Sequence, residues 1–501
     1  MRLTHWFNFL FLTLLFRSSL AILAAHPKLY WNVHSTPGSE WLKLSRKPIP
    51  PRPIWCSTDE EVAWPAWLTL PGGHGLGLGR YWHFLAAMGW VICGFVYVIL
   101  LFISPQWRRL VPTSWHAIPE AFRDFILYAT LRTPSPGTSY GPSPFNALQQ
   151  LTYFGLVFAL TPLQILTGMA QSPSLLGRFP WLGRAFGNRQ AARSLHFLGL
   201  VGFGAFLVVH LVMVVWHGFG DEMGKMVLGE GHTRRASHAI GLGLGIVGAV
   251  VLLHVAANLA SAYRKQGTHR VLSALVDPVR RAFLHRLVNV QDYPETAITP
   301  WFRINGYPPI AEFPQAQAGD DTYERLLAGN WADYQLEVLG AVEQPLSLTL
   351  EDLRAMPRQE QTTLHNCIQG WTSIGRWSGV RVRDLLALCG PRPEARYLAF
   401  LSFGFQEKPG GVAESTGTRY YECIDLLTAE QPTTIVAFEL NGEPLRIEHG
   451  APLRLRVETK LGFKMVKYLR AIEVVDDYRK LGAGMGGVRE DEQQFDMGAE
   501  I

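Results

Sequence analysis

The placement of its apolar runs restricts this 501-residue chain more than any other feature. Stretches at 6–25, 82–104, 148–170, 195–217 and 238–262 each supply the roughly 20 mostly apolar residues that a helix needs to cross a bilayer core. The first is expected to stay as a start-transfer anchor: its apolar core is long, and no A-x-A-like cleavage site closes it. From about Asn289 onward no run reaches that length, and short mixed α/β text takes over. The overall 48% hydrophobic and 17% charged residues thus average two unlike halves. The expected fold is an all-α five-span membrane bundle (1–265), a linker (266–299), an α+β domain (300–478) and a tail (479–501). A net charge of +5 is mild for this length and implies no nucleic-acid partner. Cys56, Cys93, Cys367, Cys389 and Cys423 are too scattered for a disulfide framework or a zinc site.

Histidine inside hydrocarbon is costly, so each one in a span calls for a reason. His5 opens span one, His83 opens span two, and span four carries both His196 and His210. Fourteen residues of helix put that last pair ~21 Å apart and within about 40° of one face. If span one starts inside, alternation of direction places His5 and His210 near the inner surface, and His83 and His196 near the outer one. Two bis-imidazole sites at different depths result. Such a site suits an electron-transfer haem, because no open position remains for a substrate. The alternative is four helix-end histidines satisfied by carbonyls or interfacial water. His26, His217 and His254 find no such partner and read as interface or helix-end residues. Arg17 lies 12 residues beyond His5, ~18 Å by helical rise and level with the outer site. Haem propionates would balance its charge; snorkelling to the surface is the other reading.

The texts LTHWFNFL, GRYWHF, FNALQQLTYF and SLHFLGLVGFGAFLVVH resemble the di-haem cytochrome b subunits of formate dehydrogenases and nickel–iron hydrogenases over roughly residues 1–235. That resemblance implies two b haems on His5, His83, His196 and His210, and a quinone or quinol partner near the inner haem. It also favours the N-terminus inside a bacterial cytoplasmic membrane, and five spans then deliver the C-terminal domain to the periplasm. Lysines and arginines are abundant on both sides, so the positive-inside rule does not choose. Thr233-Arg234-Arg235 before span five reads as an internal twin-arginine signal or as ordinary flanking charge.

Residues 263–290 are basic and amphipathic and predict either a helix on the membrane surface or a solvated linker helix. Beyond them YQLEVLG, QTTLHNC, ARYLAFLSF, TIVAFEL and LRLRVE read as strands, and LNGEPL as a hairpin turn. No Walker loop, G-x-G-x-x-G after a strand or H-E-x-x-H occurs. LGAGMGGVRED has the glycines of a phosphate loop without a following helix, and predicts a flexible or docking tail.

By spacing alone Cys367, in TLHNCIQGWTSIGRWSGVRVRDLL, is a buried core cysteine or a metal ligand. This text, with YYECIDLLTAEQPTTIVAFELNGEPL and HGAPLRLRVETKLGFKMVKYLRAIEV, resembles the sulfite-oxidase-fold molybdopterin domain, nearest to periplasmic methionine sulfoxide reductase catalytic subunits, over about 300–478. The resemblance implies that Cys367 gives molybdenum its one protein thiolate. It implies a molybdopterin pocket of Asn305, Tyr307, Ser402, His449, Arg454, Met465, Val466 and Lys467, with Tyr420 facing the metal. Arg454 and Lys467 have the chemistry to bind a phosphate. Sulfite oxidases place arginines just after the cysteine; here IQGWTS is uncharged, and Gln369 stands where the sulfoxide reductase has a glutamate. A neutral oxo-acceptor is therefore favoured over an anion. The expected activity is transfer of electrons from the quinone pool, through two haems, to a small sulfoxide- or N-oxide-like substrate. Reverse flow from a sulfur compound or oxyanion to quinone, and a non-catalytic haem-anchored binding module, are the alternatives. A homo-oligomer is compatible with any of these.

His196→Ala is expected to remove the outer haem and His210→Ala the inner one, each lowering haem content by about half. Retention of both haems by either variant, read from the pyridine haemochrome spectrum, would overturn the pairing.

Overall fold

The computed structural model describes residues 2–141, 143–229, 236–284, 290–408 and 412–498. Thr233-Arg234-Arg235 lies outside them. Five helices are long and apolar enough to cross a membrane: Arg2–Ala25, Leu76–Ile103, Ala147–Met169, Arg189–Trp216 and Ser237–Tyr263. Spans one, two and four begin four to six residues before their apolar cores, because nothing in the preceding polar residues breaks the helix. Span three starts at a reciprocal cap, in which Asn146 Oδ1 accepts from Gln149 N at 2.9 Å and Gln149 Oε1 accepts from Asn146 N at 3.2 Å. It is interrupted by a π-helical turn at Leu156–Leu160, just before Pro162. A proline supplies no N–H there, and the hydroxyl of Thr161 donates instead to the Leu156 carbonyl at 2.9 Å.

The chain divides into two compact units. The first comprises Met1–Phe16, Phe84–Gln171 and Ala192–Ala256. Small residues let its helices approach closely: a methyl group at Gly89 would fall 2.4 Å from the Phe11 ring, and one at Gly199 2.0 Å from the Gln164 side chain. A further helix, Ala117–Ala129, buries Ala117, Ala121 and Asp124 and exposes Ile118, Phe122, Phe125 and Ile126, as a helix lying in a membrane interface would.

The second unit comprises Arg17–His83, Ser172–Ala191 and Ala257–Ile501. Its core is two five-stranded sheets built from β1 (Gln335–Gly340), β2 (Leu346–Thr349), β3 (Arg358–Asn366), β4 (Thr372–Arg381), β5 (Tyr397–Lys408), β6 (Val412–Asp425), β7 (Thr434–Leu440), β8 (Glu443–Pro444), β9 (Arg454–Val457) and β10 (Leu469–Val475). One sheet runs β8-β7-β4-β3 with β9 also on β7; the other runs β2-β1-β10-β5-β6, with β1 and β10 parallel. The α+β expectation holds. In β1 alternate residues Leu336 and Val338 are buried, the period-two signature of a one-sided strand. In β7 all but Glu439 are buried, so that strand reads as an unbroken apolar run. Leu336, Val338, Phe400, Leu455 and Ile472 meet in the principal core.

The loop between spans one and two packs into this same unit. Arg303 donates to the Ser35 carbonyl at 2.8 Å, the Tyr30 hydroxyl at 2.8 Å and Glu60 at 3.1 Å. Ahead of span four, Gln190 Nε2 donates to the Gly370 carbonyl at 2.8 Å and to Thr372 Oγ1 at 3.0 Å. The end of span one and the starts of spans two and four therefore belong to the same unit as the C-terminal domain.

The segment expected to be a flexible or docking tail is packed against the domain. A short helix, Val488–Gln493, does follow the glycines. It delivers Glu490 to Lys464, which also binds Glu422 at 2.9 Å and the Gly486 carbonyl at 3.2 Å, all three side chains fully buried. Burial opposes the Lys464 charge, but the two carboxylates outweigh it and hold the ammonium above its usual range. Replacing Lys464 with Ala leaves two buried carboxyls facing each other. We expect a loss of about 3–5 kcal/mol in the stability of this domain, read as a lowered melting temperature in detergent; an unchanged melting temperature would show that the triplet holds nothing together.

Candidate functional site

In the membrane unit, His5 and His210 face each other with ring centroids 6.2 Å apart and planes tilted by 54°. Two imidazole–metal bonds of about 2 Å each, plus the rings' own half-widths, span roughly that distance. His210 also stacks on Phe206 at 5.4 Å. His196 is oriented through Nδ1, which lies 3.1 Å from the Gln164 carbonyl and 3.1 Å from Thr167 Oγ1. A proton on Nδ1 leaves the lone pair on Nε2, the form in which histidine ligates a metal. In the second unit His83 Nδ1 sits 3.3 Å from the hydroxyls of both Ser18 and Ser19. Arg17 donates to the carbonyls of Ala66 (2.5 Å) and Thr69 (3.0 Å) and to Asn258 Oδ1 (2.7 Å). Outside these four, His254 meets the Thr13 hydroxyl at 3.0 Å, His217 meets Tyr128 at 3.3 Å, and His26 is buried against Glu60 at 3.2 Å.

Cys367 stands on the turn that joins β3 to β4. Asn366 pairs with Thr372 at the last rung, and the turn closes through Cys367 N to the Trp371 carbonyl (3.1 Å) and Gly370 N to the Cys367 carbonyl (3.0 Å). Gly370 has φ +110°, which a side chain would strain. The Cys367 sulfur is fully buried, 3.5 Å from Asn305 Nδ2 and 3.6 Å from Gln369 Oε1. Burial pushes the thiol up to about 12, against the pull of the Gln369 backbone and of Arg189, Arg303 and Arg489. A bound cation would reverse that by stabilising the thiolate.

Two cavities adjoin this turn, and Asn305, Phe463 and Arg489 belong to the walls of both. The first, about 640 Å³, brings together Asn305, Ser402, Tyr420, His449, Arg454, Met465 and Lys467. Arg454 packs 4.8 Å over the Trp377 ring and donates to the His449 carbonyl at 2.9 Å, leaving a buried Nε without a partner among the described residues. Burial and Arg456 lower it to about 9; burial, with Arg454 adding to it, lowers Lys467 to about 7. His449 falls to about 3 by burial and the nearby Lys467 and Arg454. Mutually repelling buried cations, an orphan guanidinium N–H and an orphan Asn305 oxygen form a donor set suited to a phosphate-bearing, hydrogen-bonding heterocycle. Molybdopterin is such a group, and the residues fit it.

Two of the expected residues sit differently. Val466, on the irregular segment between a 3-10 turn and the last strand, places its side chain in the hydrophobic core between Met465 and Lys467. Tyr307 stacks on Phe313 at 5.0 Å, while its hydroxyl donates to Asp59 and accepts from Arg52. Tyr420 donates to the Phe463 carbonyl at 2.7 Å, and burial, then Glu422, hold its hydroxyl well above the usual range.

Sequence reasoning missed several residues. His365, accepting from Arg456 at 2.9 Å, lines the first cavity. Its position two residues before Cys367 on a strand was the available signal. Arg303 and Arg489 come from an apparent loop and an apparent tail, without any local signal. The second cavity contains Gln369, Glu61, His74 and Glu407. Gln369 Nε2 donates to Glu61 Oε1 at 2.7 Å, and Gln369 Oε1 accepts from Ser57 Oγ at 2.7 Å.

Two family models match the chain: prokaryotic cytochrome b561 over residues 1–229 and oxidoreductase molybdopterin binding domain over residues 324–481. A provisionally named protein-methionine-sulfoxide reductase subunit of Azospira oryzae is 35% identical over 186 residues, which are 37% of this chain and 61% of that one. The protein-methionine-sulfoxide reductase catalytic subunit of Xanthomonas campestris pv. campestris is 34% identical over 145 residues, 28% of this chain and 45% of that one. The chain therefore spans about half the length of these relatives. Among solved structures, the sulfane dehydrogenase SoxCD from Paracoccus pantotrophus is 27% identical, with a TM-score of 0.26 over 32% of this chain and 41% of that one. The chain thus joins a region that matches the prokaryotic cytochrome b561 model, residues 1–229, to one that matches the oxidoreductase molybdopterin binding domain model, residues 324–481, and carries five helices long and apolar enough to cross a membrane.

Proposed function

We propose that this oxidoreductase draws electrons from membrane quinol and uses them to reduce a sulfoxide- or N-oxide-like substrate on the periplasmic side of a bacterial inner membrane. The observation that carries the substrate class is the pairing of Gln369 with Glu61 beside the buried Cys367. Gln369, 3.6 Å from the thiol, is uncharged and is held by the Glu61 carboxylate, so it offers an oxyanion no charge partner at that position. The names of the relatives point the same way.

His5 and His210, at 6.2 Å between rings, would hold an inner haem. His83 and His196 are proposed for an outer haem on the strength of span direction, with Arg17 near its depth. In the other domain Cys367 would hold molybdenum, and Arg454, Lys467, His449, Asn305, Ser402 and Met465 would hold the pterin. Tyr307 and Val466 would support that pocket from behind. When bound, haem supplies one-electron transfer, and molybdenum with its pterin supplies two-electron oxygen-atom exchange. The chain's own contribution is geometric and electrostatic. Cationic side chains would neutralise the phosphate, the β3–β4 turn would orient the thiolate, and Tyr420, its hydroxyl bonded to the Phe463 carbonyl, lines the same cavity. The balance is R₂SO plus two electrons and two protons giving R₂S and water.

Cys367→Ala should abolish molybdenum binding while leaving the haem spectrum intact; full molybdenum content would sink the ligand assignment. Arg454→Ala should lower pterin content without changing haem, and wild-type pterin occupancy would remove Arg454 from the pocket. Sulfoxide added to chemically reduced protein should reoxidise the haems. Reoxidation by quinone, with haem reduction by sulfite, would reverse the direction of flow. A reporter fused after residue 265 should be active only outside the cytoplasm, and cytoplasmic activity would overturn the placement.

A further inference from the structure

The reaction proposed above consumes two protons, and the second cavity contains a group arranged to hold one. Glu407, near the end of β5, is 1% exposed, and both of its carboxyl oxygens are buried with no hydrogen-bond partner among the described residues. It lines the cavity that Ile368 and Gln369, the two residues after Cys367, also line. A buried carboxylate without a partner is costly, so this group is either protonated or poised to take a proton. On another wall of the cavity, His74 Nδ1 lies 3.4 Å from Glu61 Oε2. His74 is exposed and Glu61 partly so, which gives the pair access to bulk solvent that Glu407 lacks.

Resting on the reductase reading, we infer that Glu407 is the acid that protonates the oxygen leaving the substrate, and that the solvent-facing His74–Glu61 pair reloads it. In each turnover the S–O or N–O bond breaks, two electrons arrive through the haem domain, and two O–H bonds form to give water. Glu407 gives up a proton, becomes a carboxylate, and regains a proton from the His74–Glu61 side of the cavity. The cycle runs twice for each water released.

The charges facing Glu407 allow this. Burial raises its carboxyl most; Arg489 opposes that rise, Glu61 and Asp59 add to it, and Lys467 opposes it, leaving the group at about 7. The Cys56 thiol is also within electrostatic reach, itself pushed well up by burial first and then by Glu407. A proton donor near the working pH is the effective kind. Gln369, being uncharged, adds no further negative charge beside Cys367.

Infrared difference spectra of the full, cofactor-loaded chain in detergent should show the C=O band of a protonated carboxylic acid that disappears as pH rises through about 7. Glu407→Gln should lose that band, keep wild-type haem and molybdenum content, and lower kcat for a sulfoxide by about 10²-fold or more. Its residual rate should lack the fall above neutrality that the wild type shows, and Glu407→Asp should restore part of both rate and pH dependence. Absence of the band from the wild type, its persistence in Glu407→Gln, or a wild-type kcat in that variant would overturn the assignment. If the wild type reduced no sulfoxide, the function proposed above would fail, and the infrared band alone would still decide whether Glu407 holds a proton at neutral pH.

Discussion

Glu60, a buried carboxylate, is the point from which much of the second unit is organised. It receives Lys28 at 2.7 Å, Arg303 at 3.1 Å and His26 at 3.2 Å, and all four side chains are buried. Burial by itself would raise the Glu60 carboxyl; hydrogen bonding from His26 and the charge of Arg303 and Lys28 outweigh it and hold the group well below the usual range. His26 and Lys28, neighbours just after span one, and Arg303, from far along the chain, converge on one anion. Such a cluster is sensitive to any single loss, because removing one partner leaves the others buried without balance. Its consequence is positional. Arg303 stands two residues before Asn305, which touches the Cys367 sulfur, and Glu60 precedes Glu61, which meets Gln369. The loop that follows span one thereby becomes a wall of the cavities around Cys367.

Electrostatics divide the surroundings of Cys367 in two. On one side burial depresses Arg454, Lys467 and His449; Arg454 adds to the lowering of the other two, and Lys467 to that of His449. An anion placed there would favour their charged forms. On the other side stand Glu61 and Glu407, and Arg489 belongs to both walls. One half of these surroundings is thus lined by basic groups and the other by carboxyl groups.

How much of this was legible beforehand depends on the range of the interaction. The spans were readable because a bilayer demands about 20 apolar residues and nothing else in a sequence looks similar. Their polar ends were not, since Leu76 and Arg189 extend helices beyond any apolar signal. Six of the expected cofactor residues share one cavity with Tyr420, as motif text around Cys367 and 449–467 implied. Val466 and Tyr307 carried the same textual signal and yet face elsewhere, one packed into the hydrophobic core and one held by its bonds to Arg52 and Asp59. The glycine-rich stretch near the C-terminus left open a flexible or a docking tail. Burial of Val488, Glu490 and Phe495 makes it a docked part of the domain.

Sequence alone determined the class of the protein: apolar length set the spans, the text around Cys367 pointed to molybdopterin chemistry, and histidine spacing along one helix supplied the proposal of two levels of ligand. These are local properties, written in residues that lie near one another along the chain. Only the tertiary structure decided what surrounds the thiol. Glu61 lies more than 300 positions from Gln369, Arg489 more than 120 from Cys367, and Glu407 forty residues from that cysteine on another strand. No period or motif relates such residues. They meet because two sheets and a membrane-side loop fold around one turn, where ion pairs between distant segments hold them.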